Sequence, residues 1–123
     1  MTIYRTAEEA RNADVTYHMT PLEVWERQQY QQDYYPEAFP NDGFIHCTNG
    51  TDQLIWVANT FYTAERREIV VLALSVPAIT SEVRYDDPEE KFPHIYGPLN
   101  PSAVIGKLRV VRAGDGGFLA IEE

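Results

Sequence analysis

Ile69-Val70-Val71-Leu72-Ala73-Leu74 is an unbroken apolar run, and it constrains the fold more than any other segment. A strand with one wet face alternates apolar and polar residues. A continuous run is instead the pattern of a strand covered on both faces. Residues 68–76 are therefore expected to be a buried strand that ends at Pro77. A chain of 123 residues is one ordinary domain and can surround such a strand without disulfides or metals.

The remaining segments are shorter. Residues 2–5 read as a short strand and residues 7–13 as a helical piece. Their apolar content is low, so residues 1–14 are expected to be a peripheral extension. Residues 15–19 alternate as a strand should. Thr20-Pro21-Leu22-Glu23 then has the form of a helix start, with Thr20 as the cap, Pro21 in the first turn and Glu23 closing a capping box. Leu22, Trp25 and Gln29 would share one face of that helix, which fades near Gln32. Residues 33–42 form a loop rich in Tyr and Pro, with a turn at Asn41-Asp42-Gly43, and residues 44–47 a short strand. Thr51 or Asp52 caps a second helix through Phe61, with Leu54, Ile55, Val57, Ala58 and Phe61 facing inward. Residues 81–85 form a strand and 86–90 an acidic turn. Residues 92–96 are a tight segment bounded by Pro93 and Gly97-Pro98. Residues 103–111 and 118–121 form the last two strands. The glycine-rich stretch Gly114-Asp115-Gly116-Gly117 precedes a strand and lacks the lysine of a phosphate loop, so it is a hairpin turn. Helices first and strands later indicate an α+β fold, not alternating βαβ units.

A net charge of −9 opposes binding to nucleic acid in general. It leaves room for a small ligand held by local donors, and basic residues do cluster as Arg66-Arg67 and as Lys107, Arg109 and Arg112. The one cysteine, Cys47, forms no internal disulfide and is compatible with a reducing cytosol. The first residues lack the apolar core of a signal peptide, and no apolar run approaches a membrane span. The expected location is the cytoplasm and the expected partner a small molecule.

The chain has three histidines, His18, His46 and His94. Each lies at or beside a short strand, and Thr20, Thr48 and Gly97 stand close to them in sequence. Imidazole suits proton transfer near neutral pH and also suits zinc. One histidine on a strand is more often a structural residue; three in such positions favour a shared cleft. Two prolines and a glycine hold the backbone around His94 and Tyr96, as a preorganised site requires; the plain alternative is a proline-rich turn packed on the core. Neighbours in a strand point to opposite faces, so if His46 faces the cleft, Cys47 faces the core and is inert. Tyr30, Tyr34 and Tyr35 could stack on a flat ligand or pack down on the sheet.

Tyr17-His18-Met19-Thr20, Trp25, Tyr34, Gly43-Phe44-Ile45-His46-Cys47-Thr48 and Phe92-Pro93-His94-Ile95-Tyr96-Gly97-Pro98-Leu99 together resemble domain-of-unknown-function family 952. The resemblance runs over about residues 15–111 and leaves out residues 1–14. It implies a fold like that of the ADP-ribosyltransferases: split antiparallel sheets with two or three short helices, arranged as in the RNA 2′-phosphotransferase branch. It further implies NAD or a related nucleotide in a cleft between the sheets. His18, His46 and His94 would be the catalytic residues, with Thr20, Thr48, Tyr34 and Tyr96 as ligand contacts. Many ADP-ribosyltransferases carry a glutamate on a late strand, where this sequence offers His94. Neutral imidazoles stabilise oxocarbenium-like charge less than a carboxylate does, so weak or altered chemistry is expected. The alternatives are a non-catalytic binding module and a three-histidine metal site. No closely spaced ligand pair supports the second, so no metal is expected.

Overall fold

In the computed structural model, which describes residues 1–123, the apolar run forms strand β3 (Ile69–Ser75), and six of its seven residues are buried. Alternation along β3 divides the core into two halves. Val70, Leu72 and Leu74 face one cluster with Trp25, Tyr34 and Ile95. Ile69, Val71 and Ala73 face another with Tyr17, Leu54 and Phe118. Strand β1 (Val15–Pro21) pairs antiparallel along one side of β3, with His18 opposite Leu72. Strand β6 (Val104–Arg112) pairs along the other, and β7 (Phe118–Glu122) completes a four-stranded antiparallel sheet in the order β1-β3-β6-β7. The hairpin from β6 to β7 turns at the glycine-rich stretch, where the Ala113 amide donates to the Gly117 carbonyl.

The second sheet is small. Strand β5 (Pro93–Tyr96) lies between β2 (Ile45–His46) and β4 (Glu82–Tyr85), again antiparallel. The tight proline-bounded segment is thus a central strand. Its leading Pro93 carries no amide hydrogen but needs none, because Pro93 serves as an acceptor for the Cys47 amide. Ile45 and Ile95 turn inward and are fully buried, so His46, His94 and Tyr96 take the opposite face. The two sheets join where the chain leaving β2 bridges to the free edge of β1. Tyr17 and Thr48 exchange both main-chain hydrogen bonds there.

Four short α-helices complete the α+β fold: α1 (Ala7–Asn12), α2 (Leu22–Gln28), α3 (Phe39–Asp42) and α4 (Thr51–Phe61). None is long and apolar enough to cross a membrane. Several local expectations are corrected. Residues 2–5 are not a strand. The Tyr4 amide donates to the Tyr17 hydroxyl, and the Tyr4 and Arg5 carbonyls accept from the first amides of α4, which satisfies this backbone without a ladder. The extension is therefore integral: Ile3 and Tyr4 pack on the core, and Ala10 of α1 is fully buried.

Thr20 does not cap α2. It stays in β1 because pairing with β3 continues through Pro21, and the ladder outweighs the local capping signal. Helix α2 stops at Gln28, short of Gln32. Helix α3 falls in the stretch read as loop, and it ends at Gly43, whose left-handed backbone lets its amide reach the Phe39 carbonyl. Phe61 is 71% exposed; the inward stripe of α4 runs through Leu54 and Ala58 to Tyr62.

Candidate functional site

Alternation along β1 sends Val15, Tyr17 and Met19 to one side and Thr16, His18 and Thr20 to the side of the small sheet. His18 therefore enters the interior between the sheets, where it is almost entirely buried. Its Nδ1–H donates to the His46 carbonyl at 2.7 Å. A carbonyl can only accept, so the proton sits on Nδ1 and Nε2 is left to accept the Tyr34 hydroxyl at 2.9 Å. Burial lowers the His18 pKa to about 4, and the His46 carbonyl offsets that only in part. His18 is a neutral ring with both nitrogens occupied.

His46 and His94 are directly opposed on β2 and β5, and their ring centroids lie 5.3 Å apart. Each is oriented by a carboxylate. His46 Nε2–H donates to Asp42 at 2.8 Å, across the end of α3. His94 Nδ1–H donates to Asp86 at 2.8 Å, across the turn from β4 to β5. Asp86 also accepts the Tyr96 hydroxyl. That bond, and then His94, hold the Asp86 carboxyl below its ordinary range, while the same carboxylate raises the Tyr96 phenol. Phe44 stacks on His94 at 4.1 Å between centroids. In their neutral forms His46 and His94 each keep one nitrogen as a free base.

Two adjoining hollows lie beside this pair. The outer one, about 600 Å³, is lined by the exposed side of α4, by His46 and Thr48, and by Phe92. The inner one, about 130 Å³, is lined by His18, Thr20 and His46 together with Glu37, Glu65 and Arg67. His46 lies on both. Arg67 is held by three carboxylates: Glu23 at 3.1 Å, Glu37 at 2.7 Å and Glu65 at 2.6 Å. Hydrogen bonds from Arg67 keep Glu37 and Glu65 below their ordinary pKa.

The expected site residues thus divide. His46 and Thr48 line the outer hollow, and His18 and Thr20 the inner one. His94 and Tyr96 lie on the outer face of the small sheet and line neither. The three imidazoles do not ring a single cleft: His18 and His46 share the inner hollow, while His94, on the outward face of the small sheet, lines neither hollow. Tyr34, expected as a ligand contact, is fully buried and serves to hold His18. Tyr30 is exposed, and Tyr35 packs on Phe39. Cys47 is buried and its thiol pKa is raised by desolvation, as an inward-facing inert residue requires. The three-histidine metal site has no supporting geometry. No cluster of three or more His, Cys, Asp or Glu side chains is placed to share an ion, and both nitrogens of His18 are spent.

Sequence reasoning missed Asp42, Asp86, Phe44 and the Arg67 network. Asp42 alone carried a local signal, since it stands four residues before His46 in a short turn. Asp86 reaches His94 only through the pairing of β4 with β5.

The comparisons agree with this architecture. The fold is similar to the crystal structure of protein CC0527 from Caulobacter crescentus, with a TM-score of 0.71 and 21% identity over 85% of this chain and 93% of that one. The solution structure of CC0527 gives a TM-score of 0.66 and 22% identity, covering 84% and 90%. No curated protein sequence matches. Residues 19–107 match the family described as protein of unknown function (DUF952), and that span includes β1 from Met19 onward, the outer hollow, the inner hollow apart from His18, and the His46–His94 pair. The chain belongs to the DUF952 family.

Proposed function

We propose that this protein binds NAD or a closely related nucleotide at the junction of its two sheets, as its resemblance to the ADP-ribosyltransferases implies. The observation that carries the reading is the position of His46. Its carbonyl fixes His18, its ring is oriented by Asp42, and it forms a wall of both hollows. A ligand spanning the two hollows would pass His46, with Ala38 and Tyr62 on the same shared rim. Apolar walls outside and convergent polar groups inside are the usual make-up of a small-molecule site. In this reading Thr48 and Thr20 offer hydroxyls to a ribose, and His46 takes or holds a proton through its free nitrogen. His94 positions His46 by ring contact and the Asp86 link. His18 shapes the inner wall and stays neutral. A cytoplasmic setting suits the free, buried Cys47.

A non-catalytic binding module on the same fold is the second reading. It is favoured by the commitment of Glu37 and Glu65 to Arg67, which leaves no free carboxylate in the inner hollow to stabilise a developing positive charge. Calorimetric titration with NAD, followed by chromatography for released nicotinamide, separates the two. Binding with release, both lost in His46→Ala, supports an enzyme. Binding without release supports the module. Absence of both ends the NAD reading.

A further inference from the structure

We propose that the outer hollow receives a flat aromatic cation of the N-substituted pyridinium class, and that the site offers phosphate no holding group. This rests on the nucleotide reading above and narrows it to one end of the ligand.

The walls of the outer hollow are aromatic. Trp56, Phe61, Tyr62 and Phe92 all line it, and they come from α4, the residue after it and the segment before β5. Trp56 is 56% and Phe61 71% exposed, and the two rings meet edge to face at 6.4 Å. Ring faces carry negative quadrupole charge and attract cations, most strongly where water is partly excluded. Only one ordinarily charged side chain lines this hollow, and it is the carboxylate of Asp42. The phenol of Tyr62 senses it: burial raises the Tyr62 pKa and the Asp42 charge raises it further.

The inner hollow adds no net positive charge. Arg67 is its one cationic group, against Glu37 and Glu65 on the same wall. Together the two hollows present three carboxylates, Asp42, Glu37 and Glu65, and one guanidinium already paired to two of them and to Glu23. A pyrophosphate would have to displace a carboxylate from Arg67 and then sit among the others. A pyridinium ring meets the opposite balance. Its face lies on aromatic walls and its charge lies near Asp42.

The test uses the full chain and five probes: 1-methylnicotinamide, neutral nicotinamide, nicotinamide riboside, ADP-ribose and NAD. Binding is read by calorimetry and by quenching of tryptophan fluorescence. The cation and its neutral analogue are nearly the same shape, so their ratio isolates charge. The expected ratio is about tenfold in favour of 1-methylnicotinamide, the size of a modest cation–π and ion attraction. Asp42→Asn should reduce that ratio toward one, and Trp56→Leu should weaken both ligands and remove most of the quenching. Nicotinamide riboside should bind more tightly than ADP-ribose. Equal affinity for the cation and the neutral amide overturns the inference. So does ADP-ribose binding that exceeds nicotinamide riboside and is lost in Arg67→Ala, an outcome in which the nucleotide reading survives. If the cation binds but NAD does not, the inference stands and the nucleotide reading falls.

Discussion

The imidazole of His18 donates from Nδ1 to the main-chain carbonyl of His46 at 2.7 Å, and this bond ties the first strand of the large sheet to the first strand of the small one. It links two of the chain's three histidines without making them chemically alike. One becomes a neutral structural ring and the other keeps a solvent-facing edge, with its side chain 55% exposed.

The buried state of His18 makes stability depend on pH. Unfolded, the ring titrates at its ordinary 6.5; folded, at about 4. Between those values the unfolded chain holds the extra proton, so stability is full above pH 6.5 and falls as pH drops toward 4. The loss amounts to roughly 3 kcal/mol across that window. Urea unfolding at half-unit steps from pH 7.5 to 4 measures it. A flat profile above pH 5 would show that His18 is not held neutral.

Tyr34→Phe removes the hydroxyl that donates to His18 Nε2 and leaves a buried lone pair without a partner. The expected cost is about 1–3 kcal/mol, with little change in overall shape because the ring still packs against Trp25. The ¹⁵N shift of His18 Nε2 should move as its hydrogen bond is lost. An unchanged shift and an unchanged melting temperature would place the hydroxyl elsewhere.

The Arg67 network is built from partly exposed side chains and should contribute little to stability despite its short distances. Arg67→Ala is expected to leave the urea midpoint nearly unchanged at low salt and unchanged at about 1 M salt. A large drop in midpoint, insensitive to salt, would mean that the arginine stem packs as part of the core.

Gly50 precedes α4 with φ of +88°, and a β-carbon there would fall 2.6 Å from the Arg5 carbonyl oxygen. Gly50→Ala meets both the strained backbone and a neighbour that is itself main chain and slow to yield. The expected loss is about 2–3 kcal/mol. Denaturant midpoints of the two proteins test this, and equal midpoints would show that residues 5–6 shift aside freely. Because the Tyr4 and Arg5 carbonyls accept from the first amides of α4, the variant should also loosen the N-terminal segment to proteolysis.

Much of the architecture can be read along the chain. The apolar run of β3 declares a strand covered on both sides, the glycines at 114–117 declare a hairpin, and period-two alternation after Ile45 places His46 outward and Cys47 inward. The motifs around His46 and His94 also carry the family resemblance. These signals concern a residue and its immediate neighbours, and backbone sterics and side-chain alternation act at that range. Folding alone assigned the rest. Thr20 looks like a helix cap until β3 pairs with it, and Phe61 looks inward until Tyr62 takes its place. The fates of the three histidines depend on Tyr34, Asp42 and Asp86, which reach them through a loop, a short helix and a strand pairing. Burial and hydrogen bonding set an imidazole's charge and reach, and both come from whatever is packed across from it, wherever that lies in the chain.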